Sequence, residues 1–249
     1  MPSFSDVRRL EASGFRNWPA SSVHFDGTWA VRLTAGHKAK RLNSVNPLDP
    51  ADVGNLDERI ARISRRFDAY GRPLVFRISP LAGETLSRHL DTEGWLHFSE
   101  SLVITANLAS MEIDNARDQL PLRDIGRFLD GAMAVRKLDG SVRAGLSEII
   151  GAIGGNAGLF LTESGNAPVA TAICVQDGDL AALFEVATAA TERHKGLGRA
   201  VVKSALKWAK LRGASRAWAQ VEADNAPARA LYRSLGFEDA YSYHYRTPA

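Results

Sequence analysis

The clearest chemistry in this 249-residue chain lies between Arg193 and Arg199. Arg193, His194, Lys195 and Arg199 bring mobile or switchable positive charge, and Gly196 and Gly198 allow close backbone approach and unusual φ values. An apolar strand pattern, Leu180 to Ala187, runs into this turn, and a helical pattern leaves it. At such a helix N-terminus several N–H groups lack partners and the macrodipole favours an anion. The ligand that suits this arrangement is a pyrophosphate. A nucleotide-triphosphate loop of the form G-x-x-x-x-G-K-[ST] is absent, and no acidic residue completes a dinucleotide fingerprint.

Other chemistries find little support. The six histidines show no metal-ligand spacing, and no G-x-S-x-G elbow is present for a serine hydrolase. A single cysteine, Cys174, excludes an intramolecular disulfide and an all-cysteine metal site. Its neighbours Ala172, Ile173 and Val175 mark it as inert core. The formal net charge of +3 is spread along the chain, which argues against nucleic-acid binding. No segment has the length and apolarity of a membrane span, and the N-terminus does not read as a signal peptide, so the expected location is cytoplasmic.

The spacing Arg193-x-x-Gly196-x-Gly198 resembles the acyl-CoA pyrophosphate loop of the GNAT superfamily of N-acetyltransferases. Downstream, Asn225-x-x-Ala228-x-x-Leu231-Tyr232-x-x-x-Gly236-Phe237 resembles that superfamily's other familiar segment, at the expected distance. The resemblance covers the second half of the chain. It implies acetyl-CoA as co-substrate, no metal, and direct transfer of an acetyl group to a primary amine of a small molecule or peptide. A non-catalytic acyl-CoA sensor and a protein N-terminal or lysine acetyltransferase are the alternatives. The sequence leaves pairing into a homodimer open.

By the same resemblance, Val186, Ala187 and Thr188 present backbone groups to the pantetheine arm and the acetyl carbonyl. Arg193, His194, Lys195, Gly196, Leu197, Gly198 and Arg199 hold the pyrophosphate, and Asn225 flanks the pantetheine, though it also reads as a plain helix cap. Tyr232 lies beside the sulfur and protonates the departing thiolate. The amine must shed a proton before it attacks, because a lysine-like amine has a pKa of roughly 10.4. Glu185 is the first candidate base, with Glu222 and water still open. Gln220 stands where the superfamily often has a glutamate and cannot act as a base. Strand alternation puts Glu185 on the face opposite Val186.

The elements that must position these residues are legible from periodicity. After the loop, Val201, Val202, Ala205, Leu206, Trp208 and Ala209 form a helical apolar stripe, with Lys203, Lys207 and Lys210 on a solvated face. Arg216 to Val221 reads as a strand. The next helix is capped at Asp224 or Asn225, has Pro227 in its first turn and stops at Gly236. Tyr241 to Arg246 alternates as a last strand. Upstream, Leu122–Leu138 and Val142–Ile153 read as helices, and strands at 158–162, 169–176 and 180–187 are joined by Ser164-Gly165-Asn166 and Asp177-Gly178-Asp179 hairpin turns.

The first half repeats this order. A capped helix ends at Trp18-Pro19, a strand spans 28–33, and 41–45 pairs with it across Gly36. A helix carries Leu56, Ile60, Ile63 and Phe67, and a strand spans 74–78. A helix over 82–93 then stops at Gly94 before a strand over 98–107. Placing Gly94 on Gly236 puts Leu90 at Tyr232 and Leu86 at Ala228. The motif Trp18-Pro19, Trp29, Arg41 and Asn43-Ser44-Val45-x-Pro47-Leu48 resembles the N-terminal region of bacterial two-module GNAT proteins. The expected fold class is α/β (α+β): a tandem GNAT-like fold with a mixed, mostly antiparallel sheet flanked by helices and a central strand splayed for acyl-CoA. The expected domains are a degenerate GNAT-like half, residues 1–112, and a catalytic half, residues 113–249.

Overall fold

The computed structural model describes residues 3–249. The Ser3 hydroxyl accepts the Asp6 N–H at 3.2 Å and starts α1 (Phe4–Asn17), whose buried stripe includes Val7 and Leu10. Next come β1 (Ser22–Asp26), β2 (Trp29–Leu33) and β3 (Ser44–Pro47), an antiparallel meander. Then α2 (Leu56–Ala69) crosses over to β4 (Phe76–Ile78), which pairs parallel to β3 at Val45 and Phe76. Finally α3 (Gly83–Thr92) leads into β5 (Leu96–Asn107).

The second half runs through the same series. After α4 (Ile125–Arg136) and α5 (Arg143–Ile153) comes the antiparallel meander β6 (Ala157–Ser164), β7 (Ala167–Asp177) and β8 (Leu180–Thr188). The crossover helix α6 (Leu197–Leu211) leads to β9 (Arg216–Glu222), parallel to β8, and α7 (Ala226–Arg233) precedes β10 (Glu238–Thr247).

All ten strands join one sheet in the order β1-β2-β3-β4-β10-β5-β9-β8-β7-β6. The two halves have exchanged their last strands. β10 lies between β4 and β5, and β5 pairs along its length with β9 from Ser101↔Glu222 to Asn107↔Arg216. Among the described residues only the β3–β4 and β8–β9 pairs are parallel. Helices cover both faces. One core layer includes Trp18, Phe128, Phe184 and Trp218, and Trp18 stacks on Phe184 with ring centroids 4.9 Å apart. A second lies under α6 and α7, and a third fills the first half around Trp29, Phe67 and Phe76.

Several local expectations are revised. The Ser22–Asp26 segment is an edge strand that alternation did not reveal, because three of its five residues are exposed and Val23 and Phe25 face solvent. The return strand of the first hairpin starts at Ser44, since Lys40–Leu42 form a turn of 3₁₀ helix. The lysines of α6 do more than meet water. Lys207 donates to the Ala116 carbonyl at 3.0 Å and pairs with Asp118, and Lys210 pairs with Asp114, so they strap the inter-half connection onto the helix. Cys174 is buried on β7, where burial raises its thiol pKa and keeps it protonated. Among the described residues no helix is long and apolar enough to cross a membrane.

Candidate functional site

The site begins where β8 leaves β9. Their parallel register ends at Leu183↔Ala219, and β8 diverges from Phe184 onward. A bulge makes the turn: Glu185 adopts φ 50°, and the pairing with β7 shifts between Thr171 and Ile173. The Thr171 hydroxyl donates to the Glu185 carbonyl at 3.2 Å and fixes the kink. Because of this bulge simple alternation fails here, and Glu185 and Val186 line the same cavity.

Two cavities open along the splayed strand. The larger, about 770 Å³, is lined by Val186, Ala187, Thr188, Arg193, His194, Gly196, Leu197, Gly198, Arg199, Asn225 and Tyr232. Lys195 is not among its lining residues and pairs with Glu192 at 3.0 Å. On its lining Gly196 (φ 78°) is the N-cap of α6 and makes no side-chain hydrogen bond, so the first-turn N–H groups, which have no intrahelical acceptor in any helix, have no side-chain cap either. His194 is also left-handed (φ 62°), which tightens the turn. Gly198 is a close approach, since a Cβ there would stand 2.9 Å from Thr188 Oγ1. Across the cavity the Asn225 side chain accepts the Ala228 N–H at 3.1 Å and caps α7.

The smaller cavity, about 430 Å³, draws Lys40, Arg41, Ser99 and Ser101 from the first half, Tyr243 and Tyr245 from β10, and the ends of β8 and β9. The two cavities share Arg136, Val186, Asn225, Ala228 and Tyr232. Tyr232 packs its ring edge-on against Phe237 at 5.1 Å. Burial raises the pKa of its phenol, so the hydroxyl keeps its proton at neutral pH.

The carboxylates around the smaller cavity differ. Glu185 is engaged at both oxygens: Oε1 accepts from Arg41 Nη2 at 3.1 Å, and Oε2 pairs with Arg136. Glu222, at the exposed end of β9, has no ion pair among the described residues. Gln220 Oε1 accepts from the Tyr243 hydroxyl at 3.0 Å. Behind Tyr243, the Arg77 guanidinium lies 3.6 Å from its ring and pairs with buried Glu11, which also accepts from Tyr241 at 2.6 Å. The cations Lys40, Arg41 and Arg136 were not read as site residues. Arg41 had only a place in the N-terminal pattern, and no spacing in the sequence joins it to Arg136.

A sequence model described as "Probable histone acetyltransferase Rv0428c C-terminal" matches residues 4–246. The chain belongs to this acetyltransferase family. It is 26% identical over 250 aligned residues to an uncharacterized N-acetyltransferase, YobR, of Bacillus subtilis (strain 168), covering 97% of this chain and 98% of that protein. The fold matches a GCN5-related N-acetyltransferase from Kribbella flavida with TM-score 0.72 at 18% identity, covering 100% of this chain and 97% of the other. It also matches a tandem GNAT protein from the clavulanic acid biosynthesis pathway with TM-score 0.64 at 12% identity, over 96% and 86%. The acetyltransferase thus has the GNAT fold, with a mixed, mostly antiparallel sheet. The superfamily's donor, acetyl-CoA, carries the diphosphate that uncapped amides, a glycine cradle and the guanidiniums of Arg193 and Arg199 suit.

Proposed function

We propose that this acetyltransferase moves the acetyl group of acetyl-CoA directly to the primary amine of a small molecule. The observation that carries this reading is the meeting of the two cavities at Val186 and Tyr232, where the sheet splits. The larger cavity takes the donor and the smaller takes the amine. Residues 113–249 carry the chemistry, and residues 1–112 wall the acceptor cavity through Lys40, Arg41, Ser99 and Ser101. Walls from both halves around about 430 Å³ favour a small amine over an extended peptide.

Acetyl-CoA supplies an activated thioester. The first-turn amides of α6, with Arg193, His194 and Arg199, hold its diphosphate, while Lys195, paired with Glu192, contributes to the surrounding field. Backbone groups of Val186, Ala187 and Thr188 on the diverging strand orient the pantetheine and polarise the acetyl carbonyl. As the amine nitrogen bonds to the carbonyl carbon and the carbon–sulfur bond breaks, Tyr232 gives its proton to the sulfur. The surplus proton of the amine leaves through water to Glu222, the unpaired carboxylate on this cavity. Glu185 has each oxygen engaged by a guanidinium, and its role is to position Arg41 and Arg136.

The test is thiol release from acetyl-CoA over a panel of small amines, amino acids and short peptides, with calorimetric CoA binding measured alongside. Tyr232→Phe is expected to lower kcat about a hundredfold while CoA binding stays within about twofold. Glu222→Gln should lower kcat/KM at least about tenfold at neutral pH, and Glu185→Gln should cost less. CoA binding without turnover on any acceptor would favour a sensor. Failure to bind CoA would end the transferase reading.

A further inference from the structure

The acceptor cavity is richer in positive charge than a site for a simple amine needs. Lys40, Arg41 and Arg136 line it, against the carboxylates Glu185 and Glu222. One layer deeper lie Arg32 and Arg77, with Glu11 alone to balance them. The Arg41 guanidinium sits 4.8 Å from the Trp18 ring, and burial lowers the pKa of both Arg41 and Arg136. Arg32 is pushed down to about 9 by burial and by neighbouring Arg77.

A surplus of positive charge acts on an amine in opposite ways. It favours the neutral, nucleophilic form, which helps where Gln220 stands in place of a carboxylate. It also repels the ammonium that predominates in solution, so a bare amine would bind poorly. Both effects serve catalysis only if the acceptor brings an anion of its own.

The cavity already demonstrates which anion fits. The carboxylate of Glu185 bridges Arg41 and Arg136, taking one nitrogen from each. The other guanidinium N–H groups of both arginines have no acceptor among the described residues, and both side chains line the cavity. Lys40 stands beside them, its Nζ donating to Ser99 Oγ at 2.7 Å over the Phe98 and Tyr245 rings. The resulting donors are planar, charged and anchored, which suits a second carboxylate.

We propose that the acceptor is an amine that also bears a carboxylate, an amino acid in the chemical sense, and that Arg41 and Arg136 hold that carboxylate while the amine points to the junction at Tyr232. The proposal rests on the transferase reading above. Arg41 thereby sets acceptor specificity from the half of the chain that binds no CoA.

The test compares matched acceptors at saturating acetyl-CoA: free amino acids, their carboxamides, and the corresponding amines lacking the carboxyl group. Wild-type enzyme should prefer the free acids by at least about tenfold in kcat/KM. Arg41→Gln should raise KM for the acids by a similar factor and leave KM for the carboxamides and the acetyl-CoA affinity unchanged. Arg41→Lys should recover part of the preference. If Arg41→Gln fails to fold, Arg136→Gln, near the exposed end of α4, carries the same prediction for the ratio of KM on acids to KM on carboxamides, a ratio that any change in the shared donor cavity leaves untouched. Equal rates on acids and carboxamides would overturn the proposal and leave the transferase intact. So would a variant that slows both series alike, since the arginine would then only brace Glu185. No transfer to any series, from enzyme that binds acetyl-CoA, would overturn the transferase reading and this proposal with it.

Discussion

The crossover helices α2 and α6 occupy the same place in the two halves, and their N-termini are built in opposite ways. Both follow the third strand of a meander and both cross to a strand parallel to it. Ahead of α2 the chain supplies its own anion. Asp52 accepts from the Thr28 N–H at 2.7 Å and the Thr28 hydroxyl at 2.8 Å, and pairs with Arg59 at 2.8 Å. Arg59 also binds Asp26 and lies 3.8 Å from the Trp29 ring, while Asp57 and Glu58 occupy the first turn. Neither helix has a side-chain cap, but α6 has no first-turn acid, and in the turn ahead of it Arg193 has no ion pair among the described residues while Glu192 is tied to Lys195 at 3.0 Å. The first turn of α2 answers its dipole with Asp57 and Glu58, whereas the first turn of α6 leaves its dipole open to an outside anion.

The helices that follow show the same division. Gly94 (φ 72°) and Gly236 (φ 83°) close α3 and α7 with matching bonds, Trp95 N–H to the Leu90 carbonyl at 3.0 Å and Phe237 N–H to the Tyr232 carbonyl at 3.1 Å. The frame is the same, and the residue at the shared position is Leu90 in one half and Tyr232 in the other. Leu90 is fully buried, whereas Tyr232 reaches the junction of two cavities.

The sharpest way to break this comparison is to give α6 the acid that its counterpart has. Gly198→Asp is expected to weaken acetyl-CoA binding at least about a hundredfold, about 2.7 kcal/mol. Thermal stability should hold or rise, because an acid in the first turn suits the dipole once the Thr188 hydroxyl turns aside. Calorimetry and a melting curve read the two effects separately, and retained affinity would refute the contrast between the two termini. The converse exchange is smaller. Leu90→Tyr should lose about 1–3 kcal/mol of stability by overpacking, measured by denaturant unfolding, with kcat for acetyl transfer unchanged.

The smallest effect lies on the seam between the halves, where His244 of β10 stacks on His97 of β5 at 3.9 Å. Burial, then His97 and Arg246, against the weaker pull of Asp91, depress the His244 pKa from 6.5 to about 4. Its folded pKa therefore lies below its unfolded one, and between these values the unfolded chain binds more protons. Stability should fall as pH drops from 6.5 toward about 4 and level off below that. In His244→Gln the melting temperature should lose that part of its acid dependence, read by thermal scans across the window.

Much of this was legible because it is local. Arg193 to Arg199, Asn225, Tyr232 and Gly236 declare themselves through spacing, and the helices through apolar period. What escaped depends on residues far apart in sequence. No pattern within β5 or β10 shows that each will pair in the other half, because a strand's alternation tells which face is buried and not which neighbour it meets. The Glu185 bulge reverses a side chain without leaving a glycine as its sign. Arg41 stands in the N-terminal pattern and Arg136 in a helix of the other half, and no spacing joins them. Only the closed sheet brings them to one carboxylate.

The exchanged strands also set the order in which the molecule can be completed. Strand β4 ends with an unpaired edge until β10 arrives, and the final seal is the Thr247 hydroxyl donating to the Leu74 carbonyl at 3.0 Å. During synthesis at about 5–20 residues per second, the first half must therefore wait on the order of ten seconds with that edge open. It acquires its last partner only after β10 has been made. Neither half completes its share of the sheet without a strand from the other.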